Sequence, residues 1–332
     1  MQRIAIFTIK NVYAGWYSAG AYAEALRRMG HKVLECPLPG NQVQNLDEVK
    51  NTVPAISELN RCDLVMSLMH EYVQPWLAAI YGLNEWKRLK VPVVAKMEES
   101  MDRTDLGLPV RVPELMEWAD HVAFPGAQDA KKYGGAWVTY GCDTQMFNPT
   151  GRAEPIHDLA FIGQQYKLRL DYIQKLSVHL DNSFTFKWAP CFVQDLSGIR
   201  EPESTHLLAD NYRKIKVFFC LPPLSRLLVG KVFDVMACGT FLMYPRWPGE
   251  QSENMEVFED GHHLVYYDFG YFLKNAEQIK YWLSHDAERE AVARAGCRKV
   301  REDHTIEKML EKLLALAGKS SSGIVLTDKV LA

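Results

Sequence analysis

The sequence predicts an α/β protein made of two doubly wound, Rossmann-like domains, and three observations carry that expectation. Short apolar runs alternate with amphipathic stretches of helical period, the rhythm stops at one polar Pro/Gly-rich segment, and it then starts again. A chain of 332 residues, 48% hydrophobic and 24% charged, is long enough for two separate cores. In the first half strands are expected at 4–9, 33–36, 63–68, 91–95, 121–124 and 136–140. Helices fall between them near 20–29, 46–58, 72–82, 112–118 and 126–132. Strand, helix and strand in that order imply right-handed βαβ units around a parallel sheet.

The break is Asn148-Pro149-Thr150-Gly151-Arg152-Ala153-Glu154-Pro155, which reads as a linker. Beyond it strands are expected at 158–162, 183–187, 215–220, 240–244 and 263–267, and residues 275–316 are mostly helical. The expected division is therefore a domain of residues 1–150, a second of residues 151–318 that includes the C-terminal helices, and a tail, 319–332, with no core of its own. Ligands of parallel sheets bind beyond the carboxyl ends of the strands, so the two domains are expected to face a central cleft that holds both sites.

Composition narrows the function. Residues 1–150 carry 15 Lys+Arg against 17 Asp+Glu and the remainder 23 against 24, so neither half has the basic excess of a protein that grips a phosphate backbone. There is no apolar run long enough to span a bilayer, and Met1-Gln2-Arg3 leads straight into a strand without a basic, cleavable leader. A cytoplasmic location is the expectation. Seven cysteines, at 36, 62, 142, 191, 220, 238 and 297, contain no Cys-x-x-Cys, which favours reduced thiols over a disulfide frame or zinc cage. No Asp-x-Asp occurs, and His262-His263 lack a third ligand at metal spacing, so no metal site and no cofactor are expected.

The most informative stretch is Leu228–Arg246, an amphipathic helix with an acid inside it, a glycine stop and a short buried strand. Its Lys231, Asp234 and Ala237-Cys238-Gly239 resemble the donor-binding helix of the GT-B glycosyltransferases, in particular a CgeB-like, family-4-like branch. Gly141-Cys142-Asp143-Thr144-Gln145-Met146-Phe147-Asn148-Pro149 is similar to the stretch that closes their first domain, and Ser252–Asp268 to their next helix-turn-strand unit.

The resemblance implies transfer of a sugar from a nucleotide diphosphate, most simply a UDP-sugar such as UDP-glucose or UDP-GlcNAc, to a hydroxyl acceptor. It implies Asp234 on the ribose. Where the family-4 pattern has a second Glu eight positions before that acid, this chain has Arg226, which leaves the sugar and the stereochemistry open.

The chemistry itself asks for positive groups near the departing phosphate. Arg226 and Lys231 meet that need on the helix expected over 226–238, and Gly163, Lys167 and Arg169 meet it after the strand 158–162. Pro248 and Gly249, in Trp247-Pro248-Gly249-Glu250, stand where such enzymes offer backbone amides to sugar hydroxyls.

On the acceptor side, the loop 10–19 matches neither a dinucleotide nor an NTP fingerprint, but its Tyr13, Trp16 and Tyr17 suit stacking on a sugar or base. His70, after the strand 63–68, and Glu98, after 91–95, are the candidate catalytic groups. The acceptor is open among a glycan, a protein side chain and a hydroxymethylated DNA base, as a viral-type DNA glycosyltransferase would use. A nucleotide-sugar epimerase of the same fold and a non-catalytic sugar-binding protein are the competing readings.

Overall fold

The computed structural model describes residues 1–10, 19–39, 46–152, 154–163, 166–180, 186–189, 201–224, 227–246 and 257–318. Two compact units emerge. One holds the described residues up to Tyr140 together with those from Ile306 onward, and the other is Gly141–Thr305.

The first unit is a six-stranded parallel sheet of β1 (Arg3–Lys10), β2 (Lys32–Pro39), β3 (Leu64–Leu68), β4 (Val93–Lys96), β5 (His121–Phe124) and β6 (Ala136–Trp137), in the order β2-β1-β3-β4-β5-β6. The register of β1 shows why it is buried on both faces. Ile4 and Ile6 enter one apolar cluster while Ala5, Phe7 and Ile9 enter the other, as the two-residue period of a strand requires. The first cluster is closed by helix Ala19–Arg28, the second by the helices that follow β2 and β3, including His70–Ile80.

A correction concerns the last helix. Ile306–Ala317 was expected with the second domain but packs in the first unit, where its stripe of Ile306, Met309, Leu310, Leu313 and Leu316 meets Ile4, Ile6 and Leu26. Arg28 donates to Glu307 at 2.9 Å beside that stripe. An amphipathic helix must bury its face on some sheet, but its sequence does not say which.

The second unit repeats the plan with β7 (His157–Ile162), β8 (Phe186–Ala189), β9 (Ile215–Phe219), β10 (Phe241–Arg246) and β11 (Val265–Asp268), all parallel, in the order β11-β10-β9-β7-β8. Counted from its own first strand this is the order of the first unit less its last strand. The strand order reverses between β1 and β3 in one unit and between β7 and β9 in the other. Those reversal points are where a doubly wound sheet opens a crevice for a ligand.

Among the described residues no helix is long and apolar enough to cross a membrane. The six described cysteines are all free and buried, Cys220 and Cys238 among them.

Candidate functional site

In the second unit the expected donor residues divide into those that converge on the β7/β9 reversal point and those that do not. Helix Gly230–Ala237 begins there, later than the expected 226. Its second residue, Lys231, is half-buried and donates through Nζ to the Ile162 carbonyl at the end of β7, at 2.8 Å. The same ammonium lies 4.8 Å from the centre of the Phe161 ring.

Gly163 makes that approach possible. A Cβ there would lie 2.8 Å from Lys231 Nζ and 2.5 Å from the Phe161 ring, distances that real side chains do not tolerate.

Arg169 enters from the helix Lys167–Ser177 and is buried. Its Nε donates to the Pro222 carbonyl just beyond β9 at 3.0 Å, and its guanidinium sits 4.7 Å from the Phe161 ring and 4.1 Å from the Tyr166 ring. Tyr166 donates to the same carbonyl. Burial lowers the Arg169 pKa from its ordinary value. Two cations thus flank one aromatic ring at the carboxyl ends of the two strands where the order reverses. Tyr166 and the Pro222 carbonyl escaped the sequence reading, although an aromatic shortly after Gly163 was a usable signal.

Lys167 is not brought in. Its side chain is 87% exposed and pairs with Asp171 one turn on, a solvated ion pair of the kind that adds little to stability. Arg226, Pro248 and Gly249 lie outside the described residues, as do Tyr13, Trp16 and Tyr17.

Asp234 lies on the helix and is 2% exposed. The helix ends at Gly239, whose φ of +75° supplies the left-handed stop. The segment 141–149, distant in sequence, folds onto this end. Asp143 accepts from Met146 and Phe147 through its carbonyl and from Gln145 through its carboxylate, Phe147 is buried beside Tyr212, and Pro149 packs against Gly239.

In the first unit the carboxyl ends of β3 and β4 carry a buried polar network. Met69, between β3 and helix His70–Ile80, has φ +56° and ψ +46°, a left-handed conformation that costs a residue with a Cβ about 1–2 kcal/mol. Lys96 is fully buried and pairs with Glu98 Oε1 at 3.0 Å, while Tyr22 donates to the same oxygen at 3.2 Å. Tyr140 donates to the Glu98 carbonyl, and both oxygens of Glu71 accept from the Glu98 amide, at 2.9 and 3.2 Å.

His70 requires a correction. It is fully buried, with Nδ1 2.7 Å from Ser67 Oγ and Nε2 2.9 Å from the Leu115 carbonyl. A carbonyl only accepts, so Nε2 carries the proton and donates it to Leu115, Nδ1 accepts from Ser67, and both ring nitrogens are engaged within the protein. His70 is a core residue rather than a base. Burial first, and the nearby Arg111 charge less, push its pKa down to about 4. The unfolded residue therefore protonates first, and this group's stabilisation is present above its ordinary value of 6.5 and lost as pH falls toward about 4. His70→Ala leaves the Ser67 hydroxyl and Leu115 carbonyl unpaired. The expected result is a loss of about 2–4 kcal/mol in urea unfolding with turnover per folded molecule preserved.

Glu71 shows the opposite sign. Burial and the neighbouring Glu99 carboxylate push its pKa up to about 8, so the folded state holds a proton that the unfolded state releases near 4.5. Stability is fully present below 4.5 and falls as pH rises through about 8. Glu71→Gln, which keeps an acceptor for the Glu98 amide, should flatten that slope in melts taken from pH 5 to 9.

No group of three or more His, Cys, Asp or Glu side chains among the described residues could hold a metal ion.

One comparison with known proteins bears mainly on the second unit, and others span nearly the whole chain. Residues 200–315, which include the helix carrying Lys231 and Asp234, match the model of a family described as glycosyl transferase-like. Among curated proteins none matches. The fold resembles that of HepE from Anabaena, solved with UDP-glucose, at 11% identity, over 96% of this chain and 100% of that one, with a TM-score of 0.68. An α-glucosyltransferase solved with UDP and a 13-mer DNA aligns at 12% identity over 96% and 100% of the two chains, TM-score 0.66. Sucrose-phosphate synthase from Thermosynechococcus elongatus aligns at 11% identity over 95% and 98%, TM-score 0.63. The fold is GT-B, two Rossmann-like α/β domains, and the comparisons point to one enzyme class, the glycosyltransferases.

Proposed function

We propose that this chain transfers a sugar from a nucleotide diphosphate, most simply a UDP-sugar, to a hydroxyl acceptor without a metal ion or cofactor. The observation that carries the reading is the meeting of Lys231, Arg169 and the Cβ-free Gly163 at the β7/β9 reversal point. A departing nucleoside diphosphate gains negative charge as the glycosidic bond lengthens. Fixed cations in a partly buried site lower the energy of that state without having to reorganise. HepE, solved with UDP-glucose, supports a donor of this class.

In this reading Lys231 and Arg169 hold the diphosphate, Asp234 accepts from the ribose hydroxyls, and Arg226, Pro248 and Gly249 complete the donor side. Glu98 is the acceptor-side acid or base. Tyr13, Trp16 and Tyr17 supply stacking area for the acceptor. Which sugar, and whether its configuration is kept, depends on residues beyond these.

For the acceptor, one observation favours testing nucleic acid beside glycans and proteins, namely the likeness to an enzyme solved with DNA. The balanced charge of both halves weighs the other way. The test is release of UDP from UDP-glucose and UDP-GlcNAc in excess EDTA, alone and with a panel of acceptors that includes hydroxymethylpyrimidine DNA. Slow release without acceptor and faster release with one acceptor class is the expected result. No release and no binding of UDP would remove the reading, and activity restored by magnesium or manganese would remove its metal-free part.

A further inference from the structure

One buried cation of the first unit has no place in donor binding. Lys96 ends β4 and is fully buried, and taking an ammonium out of water is costly unless a partner meets it. Its surroundings are otherwise apolar. Val94, two residues earlier on the same face of the strand, lies in the cluster closed by the helices Ala19–Arg28 and Ile306–Ala317, and the last helix brings only an apolar stripe to it. The Lys96 ammonium donates to the Met97 carbonyl at 3.3 Å, lies 4.8 Å from the centre of the Tyr140 ring, and pairs with Glu98 Oε1 at 3.0 Å.

The same neighbours hold Glu98 at each of its polar ends. Its amide donates to Glu71, its carbonyl accepts from Tyr140, and its Oε1 meets both Lys96 and, at 3.2 Å, the Tyr22 hydroxyl. The Glu98 side chain keeps 9% of its surface exposed while Lys96 keeps none, so the cation stands behind the carboxylate and the carboxylate faces the opening. The other acids nearby are already engaged. Glu71 carries a proton below about 8, and Glu99 accepts from Arg103 at 2.8 Å and from Tyr72 at 3.2 Å.

We propose that Lys96, together with Tyr22, positions the acceptor-side base: the two donors pin Oε1 of Glu98, which fixes the plane of its carboxylate and holds it ionised. The inference rests on the reading of Glu98 as the acceptor-side acid or base and narrows it to the base. In the step it serves, the carboxylate takes the proton of the acceptor hydroxyl as that oxygen bonds the anomeric carbon. The electron pair of the broken carbon–oxygen bond leaves with the diphosphate. A carboxylate pinned in this way is oriented before the acceptor arrives, and it does not have to reorganise during the reaction.

The experiment compares Glu98→Gln, Lys96→Met and Tyr22→Phe with the full-length wild type. The reaction followed is release of UDP from UDP-glucose and UDP-GlcNAc with water as the acceptor, beside UDP affinity by calorimetry. Glu98→Gln should lower kcat by about 10²- to 10⁴-fold, Lys96→Met by about 10- to 100-fold and Tyr22→Phe by about 3- to 10-fold. UDP affinity should stay within about 2-fold of wild type in all three, because the donor is held by the second unit.

The pH profile separates positioning from packing. Removing the positive charge beside Glu98 favours its protonated form, so the acidic limb of kcat should move to higher pH in Lys96→Met, and a lysine that only filled space would leave that limb in place. Wild-type kcat and an unmoved limb in Lys96→Met, with Glu98→Gln inactive, would overturn the role of the lysine. Should Lys96→Met fail to fold, Tyr22→Phe, which loses a single hydroxyl, decides the matter, and wild-type kcat there would overturn the proposal. Wild-type kcat in Glu98→Gln would instead remove the reading of Glu98 beneath it.

Discussion

Replacing Lys231 by alanine is expected to lower kcat/KM for transfer from a UDP-sugar by about 10²- to 10³-fold, or about 2.7–4 kcal/mol, the range seen when one fixed donor is removed from a site of developing negative charge. The ammonium is held by the Ile162 carbonyl at 2.8 Å, so it is placed before the donor arrives. Lys231→Arg should recover only part of the loss. The guanidinium is larger than the ammonium, and Gly163 with the Phe161 ring leaves the position crowded. Lys167→Ala serves as the control. That side chain is exposed and paired with Asp171, so its loss should leave transfer at the wild-type rate. Steady-state kinetics of the three variants decide the point. Equal, large losses in Lys167→Ala and Lys231→Ala would mean that the diphosphate lies along the exposed face of the helix Lys167–Ser177.

The second large effect is expected at Asp234. Asp234→Ala removes a charge-assisted contact to a neutral hydroxyl pair worth roughly 1.5–3 kcal/mol, so UDP affinity should fall about 10- to 150-fold by calorimetry. The fold should survive, because the helix that carries Asp234 is anchored by Val232, Phe233, Val235 and Met236, all buried. Affinity for UDP equal to wild type in the folded variant would show that this acid serves the packing of residues 141–149 and not the nucleotide.

The alternation of strands and helices was readable in the sequence because parallel strands buried on both faces are short apolar runs and their crossovers are amphipathic. Ile4 to Ile9 shows both faces in one strand. What was not readable is the partner of each element. The stripe Ile306, Met309, Leu310, Leu313 and Leu316 announces a helix, but only folding shows that it closes the first sheet. That Lys231 and Arg169 come together, at the Phe161 ring, was legible from charge beside a glycine at a strand end. Lys167, two residues from Arg169 on the same helix, fell on the solvent face.

His70 misled for a physical reason. A histidine after a strand can face a ligand or a carbonyl, and the Leu115 carbonyl that claims it comes from another helix. The packing of Pro149 against Gly239 joins two stretches that the sequence offered as separate motifs.

The central claim is that a nucleotide-diphosphate donor binds in the second unit, at the ends of β7 and β9. Hydrogen–deuterium exchange with and without saturating UDP tests it most directly, since bound phosphate protects amides at a helix start and in the loop that meets it. Protection is expected in peptides that span Ile162–Gly163 and Gly230–Asp234, and it should disappear in Lys231→Ala at the same UDP concentration. Protection confined to peptides of the first unit, such as those spanning Met69–Glu71 and Lys96–Ser100, would contradict the account.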